Sequence, residues 1–417
     1  MSQDGESLRP AVIWADSRAD RQAKDLTRRL LGEPTVRAIA GAVPSGKDVV
    51  PKLLWLIQEE PWIIEQAASC LDVKGYLIAR CTGEMTIDWC SASEVGLMSS
   101  RRKHWSGFLA GIAQVPQSIL PRIVSPTSIV GRLLPEPARE LGLEAGLPVV
   151  GGAGDVAATA IGVGAGGNGA VSIYLGTSSW VAETLDRRTT WNRQGVGIVQ
   201  SVEDGRYLRV GESEAAGACV DWLVESFIDG HKEADRYESV NRAAALAPPG
   251  SEWLLFLPWL FGERAPIGDV SARAGFLNIG PDHRFEHFAR ALFEGVALNM
   301  RMVLGKEIGS SEPLRLAGGG ASSDVWMQIL ADVIQRRVAR VARPEDAGAV
   351  GAGLIATVAI GAIRTLDDTG SLVEFDRVFV PQSSLGSTYD ELFAAFRKSY
   401  AALRPIFRRL NDPVGRT

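Results

Sequence analysis

Val149-Val150-Gly151-Gly152-Ala153-Gly154-Asp155-Val156-Ala157-Ala158-Thr159-Ala160 is the stretch on which the fold turns. It reads as the end of a β-branched strand, a glycine turn and the start of an alanine-rich helix. Valine fits pleated backbone, glycine supplies turn conformations, and alanine has the highest helix propensity. Three readings compete for its single charge. Asp155 can cap the helix, because a carboxylate there accepts from the unpaired N–H groups of the first turn. It can serve as a general base at a domain junction. Alternatively, Gly152, Gly154 and Ala157 fit the dinucleotide fingerprint G-x-G-x-x-A. That third reading sets a carboxylate against the pyrophosphate that should occupy the same helix N-terminus. The local residues alone rank the cap first, the base second and the dinucleotide last.

Outward from this stretch the texture differs on the two sides. Before it, residues 17–31, 52–60 and 135–141 carry helical spacing, and residues 9–14 and 147–150 read as strands. After it, residues 170–175, 180–184, 313–317 and 337–341 read as strands. Helices are expected over 281–300, 322–333 and 347–362. Strands alternating with helices give an α/β architecture. A boundary near Gly151 divides the chain into domains 1–150 and 151–417. The 417 residues, 46% hydrophobic, suffice for two cores.

Composition excludes several classes. The net charge is -5, and no run of Lys or Arg is long enough to follow a phosphate backbone, so nucleic acid is not an expected partner. Four cysteines without a CxxC spacing suit a reduced, cytoplasmic chain. The first ten residues are polar and lack the order of a signal peptide. The longest uncharged run, 156–182, is broken by glycines and by Asn168, Thr177, Ser178 and Ser179, so it reads as core rather than as a membrane span.

Four further patterns could carry chemistry. Gly176-Thr177-Ser178-Ser179 lies between two strands, where backbone N–H groups and hydroxyls can meet phosphate oxygens; the same residues also suit an ordinary hairpin turn. Gly318-Gly319-Gly320, between a strand and a helix, lets a flat ligand lie on backbone without Cβ clashes, with Ser322 or Ser323 as helix cap and Asp324 in the first turn. A second G-x-G-x-x-G at Gly162, Gly164 and Gly167 follows a helix rather than a strand, and reads as a helix C-terminal turn. His283-Arg284-Phe285-Glu286-His287 matches a zinc-peptidase pattern but reads as a solvated first helical turn. There is neither a G-x-S-x-G nor a P-loop motif.

Several segments, taken in order, carry a resemblance: Ile13-Trp14-Ala15-Asp16-Ser17-Arg18, Pro51-Lys52-Leu53-Leu54-Trp55-Leu56, Lys74-Gly75-Tyr76-Leu77, Cys81-Thr82-Gly83-Glu84, Asp88 with Ser91-Ala92-Ser93, and Phe256-Leu257-Pro258-Trp259-Leu260-Phe261-Gly262-Glu263-Arg264-Ala265-Pro266. With the glycine turns, they make the chain similar to the FGGY family of carbohydrate kinases, and in wording to its xylulokinases. The resemblance implies a two-domain sugar kinase/actin-like ATPase (ribonuclease H-like) fold. It implies Asp155 as catalytic base and a substrate contact. Gly176, Thr177, Ser178, Gly217, Gly319, Gly320 and Asp324 would be ATP-binding, and Trp14 and Trp180 substrate-binding. ATP and Mg²⁺ would be required, with metal ligands unassigned. The partners would be a small sugar, such as xylulose, and ATP, with a homodimer allowed and no membrane. The family's opening D-x-G-T turn and its sugar loop have no counterpart in the sequence. An incomplete N-terminal domain, lacking most of its central sheet and exposing apolar helix faces, is therefore expected. Two functions follow: a sugar kinase, or a truncated pseudokinase that binds nucleotide without turnover.

Overall fold

The computed structural model describes residues 1–40, 43–189, 195–227, 236–305 and 313–411. Seven strands of the second half form one sheet, in the order Phe375–Phe379, Val338–Val341, Leu314–Ala317, Val171–Leu175, Ser179–Leu185, Tyr207–Ser213 and Val196–Gln200. Val171–Leu175 runs parallel to Leu314–Ala317, which is in turn parallel to Val338–Val341; the remaining neighbours are antiparallel. Almost every residue of the two central strands is buried, polar Ser172, Ser179, Glu183 and Thr184 among them, as in a sheet covered on both faces.

The pleat divides these side chains between two layers. Val171, Ile173, Leu175 and Val181 join the core under helices Phe285–Leu304 and Asp324–Ile334. Trp180, Ala182, Leu208 and Val210 meet Val156, Ala157, Ala160 and Ile161 of helix Asp155–Gly162. Each large side chain sealed in these layers contributes about 1.5–3 kcal/mol relative to exposure. Helix Ala347–Ala359 crosses helix Asp155–Gly162 at backbone contact. A Cβ on Gly162 would fall 1.8 Å from the Ala347 carbonyl oxygen, and one on Gly351 1.8 Å from that of Ala158. This crossing accounts for the second glycine pattern, whose Gly162 ends the helix and whose Gly164 has φ +69°.

The first half is built from helices Asp20–Arg29, Val49–Glu59, Val73–Thr82 and Trp89–Val95, with three two-stranded ladders in place of a large sheet. Thr86–Asp88 pairs with Arg122–Val124, Ile129–Arg132 with Pro148–Val150, and Met98–Ser99 with His104–Trp105. Val73 and Leu77, on one helix, are exposed, as expected where little sheet is available to cover them. The halves meet where Trp89 Nε1 donates to the Ser201 carbonyl (2.8 Å) and Gln200 N–H to Ser93 Oγ (2.8 Å).

Two expectations are corrected. Residues 9–14 form no strand: no neighbouring edge pairs with them, Ile13 and Trp14 are exposed, and Arg9 is instead held by Glu60 at 2.8 Å. Asp155 is not the helix cap. Gly154 takes that position with extended backbone (φ -64°, ψ 164°), and Asp155 is the first helical residue. Among the described residues, no helix is long and apolar enough to cross a membrane.

Candidate active site

Asp155 begins its helix on the exposed side of the chain, and its Oδ1 accepts from the Val156 N–H at 2.8 Å. That leaves the rest of the carboxylate open. The next residues lock the helix to the sheet: Val156 and Ala157 pack with Tyr174 and Trp180. Those two rings face each other across the hairpin register and stack at 4.0 Å, with an interplanar angle of 11°. The hairpin turn that follows Tyr174 is the Gly176-Thr177-Ser178 segment.

Backbone hydrogen bonds join that turn to a second glycine position. Gly217 N–H donates to the Gly176 carbonyl (2.8 Å), and the Ala216 and Ala218 N–H groups donate to the Thr177 carbonyl (2.9 and 3.0 Å). Gly217 opens helix Gly217–Phe227, and a Cβ there would lie 2.8 Å from Gly176 O. The third glycine element packs against the residue before the turn. Gly318 has φ +95°, and a Cβ on it would lie 2.3 Å from Leu175 O. Gly319 is open, with nothing within 4 Å of its Cβ position. Ser323, rather than Ser322, caps the next helix, accepting from Trp326 N–H at 3.0 Å. Asp155 is thus linked to the Gly176-Thr177-Ser178 turn by packing through Tyr174 and Trp180, and that turn to Gly217 by hydrogen bonds and to the Gly318–Gly320 turn through Leu175.

The other expected site residues stand apart. Asp324 is committed to Arg340 (2.7 Å) and Arg377. Trp180 is 8% exposed, with its indole N–H sealed inside. Trp14 is 59% exposed, and no hydrogen bond or ring contact among the described residues ties it to Asp155.

Charged residues to which the sequence assigned no role cluster around the junction. Lys47 Nζ reaches Glu214 Oε2 at 2.7 Å, and Arg264 binds both Glu212 and Glu214. Burial pushes the Glu212 carboxyl up despite Arg264. Glu263 is buried beneath them. It accepts from Glu214 N–H (3.0 Å), Arg264 N–H (2.8 Å), Ser213 Oγ (2.8 Å) and Asn299 Nδ2 (2.7 Å). Desolvation pushes its carboxyl up to about 7 against those four bonds. On the first-half side, Lys74 Nζ bridges Asp88 (2.6 Å) and the Gly151 carbonyl (3.1 Å), fixing the approach to Asp155. Lys52 donates to the Ile13 carbonyl at 2.8 Å, and burial lowers its pKa. Lys52, Lys74, Asp88, Glu263 and Arg264 fall in stretches that carried the family resemblance without a role for them, whereas nothing in the sequence pointed to Lys47, Glu212 or Glu214.

The zinc pattern is structural. His283 and His287 each accept a backbone N–H on Nδ1, from Gly280 (2.8 Å) and Arg284 (3.0 Å). Among the described residues, no group of three or more His, Cys, Asp or Glu side chains converges to hold a metal.

This arrangement has counterparts in known proteins. The profile of the FGGY family of carbohydrate kinases, N-terminal domain, matches residues 1–162, and that of the C-terminal domain matches residues 171–360. The chain belongs to the FGGY family of carbohydrate kinases. This FGGY kinase is 28% identical to the xylulose kinase of Bacillus subtilis (strain 168) over 410 residues, which cover 97% of the chain and 81% of the relative. It is 26% identical to the gluconokinase of the same organism over 422 residues, covering 99% and 79%. The ligand-bound xylulose kinase from Lactobacillus acidophilus superposes with a TM-score of 0.87 at 25% identity, over 98% of this chain and 83% of that one. The fold is the two-domain actin-like ATPase fold expected from the sequence, and the protein is a phosphotransferase of the sugar kinase class.

Proposed function

We propose that this FGGY kinase transfers the γ-phosphoryl group of ATP to a hydroxyl of a ketopentose such as xylulose, with Asp155 as the general base. The observation that carries this reading is the continuity from the open Asp155 carboxylate, through Tyr174 and Trp180, to the glycine turn at Gly176 and the helix start at Gly217. Asp155 takes the proton of the sugar hydroxyl, whose oxygen bonds to the γ-phosphorus as the bond to the bridging β–γ oxygen breaks and ADP leaves. Backbone N–H groups and hydroxyls of Gly176, Thr177 and Ser178 and the helix N-terminus at Gly217 receive the phosphates. Gly319 and Gly320 offer a flat, side-chain-free wall to adenosine, and Asp324 braces the helix behind it through Arg340 and Arg377. Trp180 sets the position of Val156 and so of Asp155, while Trp14 is the exposed aromatic on the sugar side.

Mg²⁺ would be held chiefly by the ATP phosphates and water and would supply charge neutralisation. A division at Gly151 fits the pairing of Pro148–Val150 within the first half and the packing of helix Asp155–Gly162 against the second.

A second reading, nucleotide binding without turnover, is favoured by one observation: among the described residues the first half has only two-stranded ladders. A coupled ADP-release assay with D-xylulose, other ketopentoses, polyols and D-gluconate separates the two. Acceptor-dependent ADP release supports the kinase. Thermal stabilisation by ATP with no release for any acceptor supports the second reading.

A further inference from the structure

Glu94 belongs to helix Trp89–Val95, which is anchored at both ends. Asp88 caps its start through the N–H groups of Cys90 (2.8 Å) and Ser91 (3.2 Å), and Trp89 and Ser93 tie it to the edge strand of the second half. A Cβ built on Gly154, the residue before Asp155, would lie 3.7 Å from Glu94 Oε1 and 4.0 Å from Oε2. The Glu94 carboxylate is therefore presented beside the base by a rigid element. It is solvent-accessible, yet no described residue hydrogen-bonds or ion-pairs with it.

The like charges that act on it are those of Asp155, Asp88, Glu212 and Asp72. The nearby cations are already engaged: Lys74 with Asp88, Arg264 with Glu212 and Glu214, and Lys47 with Glu214. The protein packed around the junction and then those like charges push the accessible Glu94 carboxyl upward. A protonated carboxyl both donates and accepts, which matches a neutral hydroxyl. An acceptor with its own carboxylate would enter a ring of negative charge with no free cation among the groups named.

We propose that Glu94 is a specificity-determining residue of the acceptor site, binding a hydroxyl beside the one that Asp155 activates and selecting neutral polyhydroxylated acceptors over aldonic acids. This rests on Asp155 being the base.

The test measures ADP release against D-xylulose, glycerol and D-gluconate for the wild type, Glu94→Ala and Glu94→Gln. Glu94→Ala raises KM for the neutral acceptors about ten-fold, the scale of one lost hydrogen bond to a carboxyl, and leaves KM for ATP unchanged. Glu94→Gln keeps the hydroxyl contact and removes the titratable charge. The preference for xylulose over gluconate then falls about ten-fold, most strongly at alkaline pH. A wild type that prefers gluconate, or Glu94→Ala with unaltered acceptor KM, overturns the inference. If Asp155→Ala retains turnover while Glu94→Ala raises KM, the base assignment fails and the Glu94 contact stands. If Asp155→Ala abolishes turnover and the Glu94 variants behave as wild type, this inference alone fails. Where wild-type turnover is absent, calorimetric titration with D-xylulose decides. Weaker binding by Glu94→Ala supports the contact; equal binding by both, or binding by neither, overturns it.

Discussion

Lys47 Nζ lies 2.7 Å from Glu214 Oε2, and the pair ties the turn before helix Val49–Glu59 to the end of strand Tyr207–Ser213 in the other half. Both side chains are mostly shielded, so the attraction is screened less than at a free surface. The sequence separates the two residues widely, and only closure of one half onto the other brings them together.

Lys47→Met removes this tie while leaving Glu214 its second partner, Arg264. The cleft is expected to open: the radius of gyration from small-angle X-ray scattering increases, and KM for the acceptor rises about three- to ten-fold, equivalent to about 0.7–1.4 kcal/mol. Scattering and KM indistinguishable from wild type would show that the pair does not hold the halves.

Gly217 has no room for a side chain, because its Cβ position is 2.8 Å from the carbonyl of Gly176, to which its own N–H is bonded. Gly217→Val is expected to push the Gly176-Thr177-Ser178 turn out of place. Calorimetry with a non-hydrolysable ATP analogue should show Kd raised at least about ten-fold, with sugar affinity retained; each ten-fold step corresponds to about 1.4 kcal/mol.

The crossing of helices Asp155–Gly162 and Ala347–Ala359 offers a test of stability. Gly351→Val places atoms on the Ala158 carbonyl and should destabilise by about 3 kcal/mol, lowering Tm by roughly 3–6 °C. Gly353, on the same helix, is exposed with nothing within 4 Å of its Cβ position. Gly353→Ala should stabilise by up to about 1 kcal/mol. Equal Tm changes for the two variants would contradict the crossing.

Much of this was legible in the sequence. The strands at Val171–Leu175 and Leu314–Ala317 announce themselves as short, mainly apolar segments beside glycine turns. Gly318 is readable because only glycine fits a positive φ against the Leu175 backbone. The first half is harder. Ladders as short as Met98–Ser99 carry no periodicity, and residues 9–14 look like a strand but have no edge to join. Trp180 shares its face with Ala182, so the two-residue period sets it against Val156 inside the core. Lys47, Glu94 and Glu212 owe their places to long-range packing, to which no local pattern points.

Glu263 gives a pH signature. Its carboxyl is raised from the ordinary 4.5 to about 7, so the contribution it makes to stability is fully present below about 4.5 and is lost as pH rises through about 7. A shift of that size corresponds to roughly 3 kcal/mol. Denaturant unfolding of wild type and Glu263→Gln should therefore diverge across this window, with the wild type losing stability relative to the variant as pH rises. A stability difference independent of pH would contradict the buried, titrating carboxyl.

The most direct test of the central claim is the turnover of Asp155→Ala measured as sugar-dependent ADP release. A general base contributes about 10²–10⁴-fold. A loss of at least that size is expected, with nucleotide-analogue affinity and Tm close to wild type, because the Asp155 side chain is exposed and, among the described residues, hydrogen-bonds only its neighbour's N–H. Turnover within a few-fold of wild type would contradict it.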